Sequence, residues 1–192
     1  MLRRKLAAAT TAVTLAVFLA GVWALQADDT PAFPFPKPGP EHEILKKEAG
    51  VWDASVEMSM PDGKTNVSKG VETNTMLSGG IWVVTNFKGK MMGQDFEGSG
   101  VSGYDPNKKK YVGTWVDSMT TGISRIEQTY DAATKTMSGW LEAPDEQGKM
   151  LKSKTITEWK DDNNRIFTLA LPSPDGKESA TVMRITYKRR SR

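Results

Sequence analysis

The sequence predicts an all-β fold, an up-and-down antiparallel β-barrel of about eight to ten strands with one short N-terminal helix. Three observations predict it. Apolar and polar residues alternate in short runs from Val51 onward. Turn signals rich in Gly, Pro, Asn and Asp separate those runs. No strand-to-helix alternation is present, which argues against a parallel α/β sheet. A long meander leaves two open edges unless it curls and closes, so a barrel is favoured over a two-sheet sandwich.

The elements follow in chain order. Met1-Leu2-Arg3-Arg4-Lys5 is basic, and Leu6 to Leu25 carries no charge. With Ala24-Leu25-Gln26-Ala27 as a cleavage site, residues 1–27 read as a signal peptide. The protein is therefore expected to be exported, periplasmic or secreted. An uncleaved anchor is the competing reading, and this segment is then its link to a membrane. Residues 28–40 read as a Pro-rich linker, with five prolines between Thr30 and Pro40. Residues 41–190 form the predicted barrel domain.

Glu41 to Ala49 is the helix candidate. Pro40 suits a first-turn position, Ile44, Leu45 and Glu48 share one face, and Gly50 can end it. Val51 to Met60 alternates: Trp52, Ala54, Val56, Met58 and Met60 fall on one face. Pro61-Asp62-Gly63-Lys64 supplies a turn, and Pro174-Asp175-Gly176-Lys177 repeats it. Further strands are expected at Thr65–Leu77, Ile81–Lys88, Phe96–Tyr104, Lys110–Ser118, Ile123–Tyr130, Thr136–Ala143, Leu151–Lys160, Arg165–Leu171 and Ala180–Lys188. Met91 to Asp95 is left as a hairpin tip.

Composition excludes much chemistry. The chain has no cysteine and one histidine, His42. Disulfides, cysteine nucleophiles and Cys or multi-His zinc sites are ruled out, and no phosphate-binding loop is present. No catalytic residue, metal or cofactor is therefore assigned. The chain holds 26 Lys and Arg against 23 Asp and Glu. Three of the basic residues sit in the expected signal peptide, so the mature chain is neutral and nucleic acid is not an expected partner. Oligomeric state leaves no mark on the sequence.

Gly50-Val51-Trp52, after a helix and opening the first strand, resembles the start of lipocalins. That resemblance implies a plug in which Trp52 packs against a basic residue of the last strand, with Arg184 and Lys188 as candidates. Glu41-His42, Ser68-Lys69-Gly70 with Glu72, Leu77 to Val84, Gly103-Tyr104-Asp105-Pro106 and Tyr111 to Met119 resemble a bacterial family, domain-of-unknown-function family 1579. This implies a lipocalin-like (calycin-like) fold and no particular chemistry.

Five tryptophans and nine methionines follow the signal peptide, enough to line an adaptable apolar cavity or to fill a core. The expected lining is Trp82, Phe96, Tyr104, Trp115, Asp117, Met119, Arg125 and Tyr130. Asp117 shares a face with Trp115 and either orients a ligand, with Arg125 or Tyr130 as partner, or caps the following turn. The functional expectation is a non-catalytic binder of a small apolar or amphipathic molecule. The alternatives are an enzyme with Asp117, Glu127 or Arg125 as polar groups at the barrel mouth, or a filled-barrel structural or interaction protein of the cell envelope.

Overall fold

The computed structural model describes residues 35–145, 147–172 and 179–191. The expected signal peptide, most of the linker and the Pro174-Asp175-Gly176-Lys177 turn lie outside the described residues. The chain forms helix α1 (His42–Glu48) and then ten strands: β1 (Gly50–Ser59), β2 (Thr65–Met76), β3 (Trp82–Met91), β4 (Gln94–Asp105) and β5 (Lys110–Asp117) come first. After them come β6 (Ser124–Asp131), β7 (Thr136–Pro144), β8 (Met150–Trp159), β9 (Asn164–Pro172) and β10 (Ser179–Arg189). Each strand pairs antiparallel with its neighbour in sequence, and β10 pairs with β1, so the sheet is a closed barrel. Closure gives each of the ten strands a partner on both sides.

The period-two pattern sets which side chains enter the barrel. Trp52, Ala54 and Val56 point inward from β1, as Ile185 and Tyr187 do from β10. Turns are held by side chains of their own. Asp105 Oδ1 accepts from the backbone N–H groups of Asn107 and Lys108, and Asp145 Oδ1 accepts from those of Gln147 and Lys149. Asp131 Oδ1 accepts from Ala133 N–H, and its carboxyl is held below the usual carboxylate range by that bond and the Thr134 hydroxyl.

The Met91 to Asp95 tip is tighter than expected. The strands run to Met91 and Gln94, leaving Met92 and Gly93 as a two-residue turn, both at positive φ (52° and 81°). That is the hairpin turn whose twist matches the flanking strands.

Helix α1 closes one barrel end. It is seven residues long, so packing must hold it. Ile44 and Leu45 enter a cluster with Val83, Tyr111, Met137 and Trp159. The Tyr111 hydroxyl donates to the Glu41 carbonyl at 2.8 Å and the Trp52 indole N–H to the Glu48 carbonyl at 2.8 Å. Burial pushes the Tyr111 phenol up to about 12.

The lipocalin-like plug is present, with a different basic residue from those expected. Arg189 stacks on Trp52, 4.1 Å from the ring centroid, and donates to the carbonyls of Ala49 (2.6 Å) and Lys47 (2.5 Å). Arg184 and Lys188 are exposed on the outer face, in register with Glu57 and Asp53 of β1. The inward parity of Ile185 and Tyr187 continues to Arg189 and sends both even-numbered residues outward.

Candidate functional site

The barrel is hollow. A cavity of about 450 Å³ occupies its interior between the helix end and the opposite rim, within the range of roughly 300–1,000 Å³ usual for small-molecule sites. One wall is apolar, from Met58, Phe87, Phe96, Phe167, Met183 and Ile185. The facing wall carries short polar groups, among them Ser102, Ser124, Gln128, Thr155 and Thr157. Gln128 donates to the Thr155 hydroxyl at 3.0 Å.

Small inward residues account for the space. Gly98, Gly100 and Ser102 follow one another on the inner face of β4, Gly113 faces inward on β5, and Gly139 on β7. The Trp115 indole lies over Gly98 and Gly100, where a Cβ would strike the ring. Aromatic cover of glycine keeps the wall tight without filling the lumen.

The floor of the cavity, next to α1, is polar and charged. Arg165 enters from the start of β9 and pairs with Glu72 of β2, both side chains under one-tenth exposed. The guanidinium is stacked between Trp52 (4.7 Å) and Tyr187 (4.4 Å), and the Tyr187 hydroxyl bonds to Glu72. Asn74 donates to Glu72 Oε1 (2.7 Å) and to the Glu48 carbonyl (3.1 Å). The Glu48 carboxylate is 3.9 Å from Arg165 Nη1, beyond hydrogen-bond reach. Burial raises its pKa to about 7, opposed by Arg165 and reinforced by Glu72. Burial also raises the Tyr187 phenol well above its usual value.

At the far rim, Asp117 caps the following turn, as one of its two readings expects. Its Oδ2 accepts from the Trp115 indole N–H at 3.0 Å, and its Oδ1 accepts from the backbone N–H groups of Met119 (2.9 Å) and Thr120 (3.0 Å). It thus caps the turn and fixes the tryptophan of the cavity wall. Its partners are Trp115 and the turn, not Arg125 or Tyr130. Met119 and Thr120 line the cavity and are exposed, so this rim is the mouth.

Of the expected lining, Phe96, Trp115, Asp117 and Met119 face the cavity. Tyr104 and Tyr130 point inward but pack in the plug, edge-on to Tyr111 and Trp159 respectively. Trp82 and Arg125 lie on the outer face. Trp82 starts β3 one residue out of phase with buried Val83 and covers Gly103 from outside. Arg125 alternates with inward Ser124 and Ile126 and sits opposite Glu142. Glu127 is also outside, bonded to Lys108 (2.5 Å) and Lys110 (2.9 Å), which hold its pKa down to about 2. Of the polar groups named for an enzyme, Asp117 stands at the mouth, and Glu127 and Arg125 lie outside the barrel.

The residues missed are the floor: Glu48, Glu72, Arg165 and Tyr187. Glu48 and Arg165 carry a signal, a charge on an apolar face, and Glu72 and Tyr187 carry none. Glu48 shares the face of Ile44 and Leu45, and Arg165 shares that of Phe167 and Leu169. Among the described residues, no group of three or more His, Asp or Glu side chains is placed to hold a metal ion.

A helix-plugged, closed ten-stranded barrel is a lipocalin-like architecture, and the fold is similar to that of solved structures. The S-type phycobiliprotein lyase CPES from Guillardia theta matches with TM-score 0.55 and 11% identity over 79% of this chain and 93% of that one. Rv2717c from M. tuberculosis matches with TM-score 0.57 and 9% identity over 80% and 99%. At these identities the likeness is one of fold. Within that class the chain belongs to the family described as protein of unknown function (DUF1579), which matches residues 37–189. No curated protein matches the chain.

Proposed function

We propose that this is an exported, non-catalytic binding protein that holds a small apolar or amphipathic molecule inside its barrel. The observation that carries the reading is the cavity of about 450 Å³, with an aromatic and methionine wall and one charged end. A barrel built only as a rigid body gains nothing from leaving this space, since unfilled core volume costs stability. The basic and apolar N-terminal segment followed by a Pro-rich stretch supports export.

Trp115 is the only tryptophan among the described lining residues, so it reports on occupancy. Titration of the full chain with Nile red should give saturable dye fluorescence and a matching change in tryptophan emission. Trp115→Phe should remove most of the emission change. A dye response that stays linear and unsaturated would sink the proposal. Sequencing the N-terminus of the protein recovered outside the cytoplasm should find it starting near Asp28, and retention in the cytoplasm removes the export part.

A further inference from the structure

The polarity of the cavity ends narrows the class of ligand, granted that the barrel is a binder. The charged side chains lining the interior are Glu48, Glu72 and Asp117 on the acidic side and Arg165 on the basic side. Arg165 is committed to Glu72 and to the faces of Trp52 and Tyr187. Asp117 is committed to Trp115 and the turn. Glu48 is the carboxylate left over. It borders the cavity with its side chain 15% exposed, and Arg165 is 3.9 Å away.

A second observation comes from Asn74, which is not itself a lining residue but bonds to both Glu72 and the Glu48 carbonyl beside the floor. The Oδ1 of Asn74, a residue 4% exposed, has no hydrogen-bond partner. Its orientation is fixed, because its amide nitrogen already serves two acceptors, Glu72 and the Glu48 carbonyl. A buried acceptor left alone is costly. The floor thus holds one cationic side chain, Arg165, already paired with Glu72, against two carboxylates. A carboxylate head would meet Glu48 and Glu72 as like charges. The one feature favouring it is the unpartnered Arg165 Nε.

We propose that the cavity takes an amphiphile with a cationic head, an alkylamine or related apolar amine, its ammonium against Glu48 at the floor and its chain along the Phe87, Phe96 and Phe167 wall. The groups that face Glu48 are Glu72 from β2, Tyr111 from β5, Arg165 from β9 and Tyr187 from β10. Among them the pairing of Arg165 with Glu72 cancels, so the state of Glu48 sets the charge offered to the ligand.

The test displaces Nile red from the full chain with decylamine, decanol and decanoate, three heads on one chain. At about pH 8 decylamine should bind at least about tenfold tighter than decanoate, which is about 1.4 kcal/mol. Glu48→Gln should reduce the advantage of decylamine over decanol at least about fivefold and leave decanol unchanged. Should that variant not fold, the wild-type pH series decides. Decylamine affinity should rise about tenfold from about pH 6 to about pH 8 as Glu48 ionises, with decanol flat. Decanoate binding as tightly as decylamine overturns the proposal and assigns the head to Arg165. A pH-independent ratio of decylamine to decanol also overturns it. If Nile red binds but no decyl probe displaces it, the amine class is wrong and the binder reading stands. If Nile red does not bind either, the binder reading itself falls.

Discussion

The two ends of the barrel are built from the same ten strands and differ in what their inner faces carry. At the helix end, inward positions hold Trp52, Tyr104, Tyr111, Tyr130, Trp159 and Tyr187, and the lumen is full. Toward the mouth the inner faces of β4 to β8 offer Gly98, Gly100, Ser124 and Ala143, and the lumen is empty. Side-chain volume at inward positions therefore decides hollow against filled, and the closed backbone permits both. The filled end should carry the stability and the hollow end the binding.

The largest effect expected at the filled end follows removal of Arg165. Arg165→Ala strands Glu72 among buried groups and takes the guanidinium from between Trp52 and Tyr187. A loss of about 3–5 kcal/mol is expected, measured by urea unfolding. A loss under about 1 kcal/mol would mean that the floor is open to water and the plug is not the stable end.

Glu48 gives the next effect, and its direction depends on pH. Its pKa is raised from 4.5 to about 7 in the folded state. Between those values the folded chain binds more protons than the unfolded one, so stability falls as pH rises. The contribution is fully present below the unfolded value and is lost as pH rises through about 7. Its size is about 3 kcal/mol. Unfolding at about pH 5 and about pH 8 should show this fall in the wild type and a flatter profile in Glu48→Gln. Parallel profiles would remove Glu48 as the titrating group.

Gly50 joins the helix to β1 at φ 131°, and a Cβ there would lie 2.5 Å from Arg189 Nη1. Gly50→Ala is expected to cost about 1–3 kcal/mol from backbone strain, with more if Arg189 leaves Trp52. Near-UV circular dichroism of the Trp52 environment separates these two costs. An unchanged spectrum with full stability would show that the plug tolerates a side chain at this position.

The same comparison explains what the sequence made legible. Period-two alternation and Asp-based turns are local signals, so ten strands, their order and the helix could be read from residues such as Trp52 to Val56 and Asp105 to Lys108. The floor could not be read that way. Glu72 and Arg165 are far apart in sequence and meet only because the barrel closes. β2 is polar on its inner face, with Glu72 and Asn74 buried beneath exposed Thr73 and Thr75, so the rule that apolar residues face inward fails there. Trp82 misled for a related reason: a large aromatic suggests an interior, and the period fixed by Val83 places it outside.

The smallest expected change in stability belongs to the mouth, and it sharpens the comparison most. Ala143 lines the cavity near the rim, on the strand that pairs Ala143 with Leu151. Ala143→Trp places a large side chain into space that is already empty, so no packed neighbour has to move. The stability change should stay within about 1 kcal/mol, below the usual cost of overpacking a filled core. Nile red affinity should fall at least about tenfold because the same volume serves the ligand. A destabilised protein with unchanged binding would reverse the assignment of the two ends. A stable protein that has lost binding would establish that occupancy, and not the fold, depends on the small residues at the mouth.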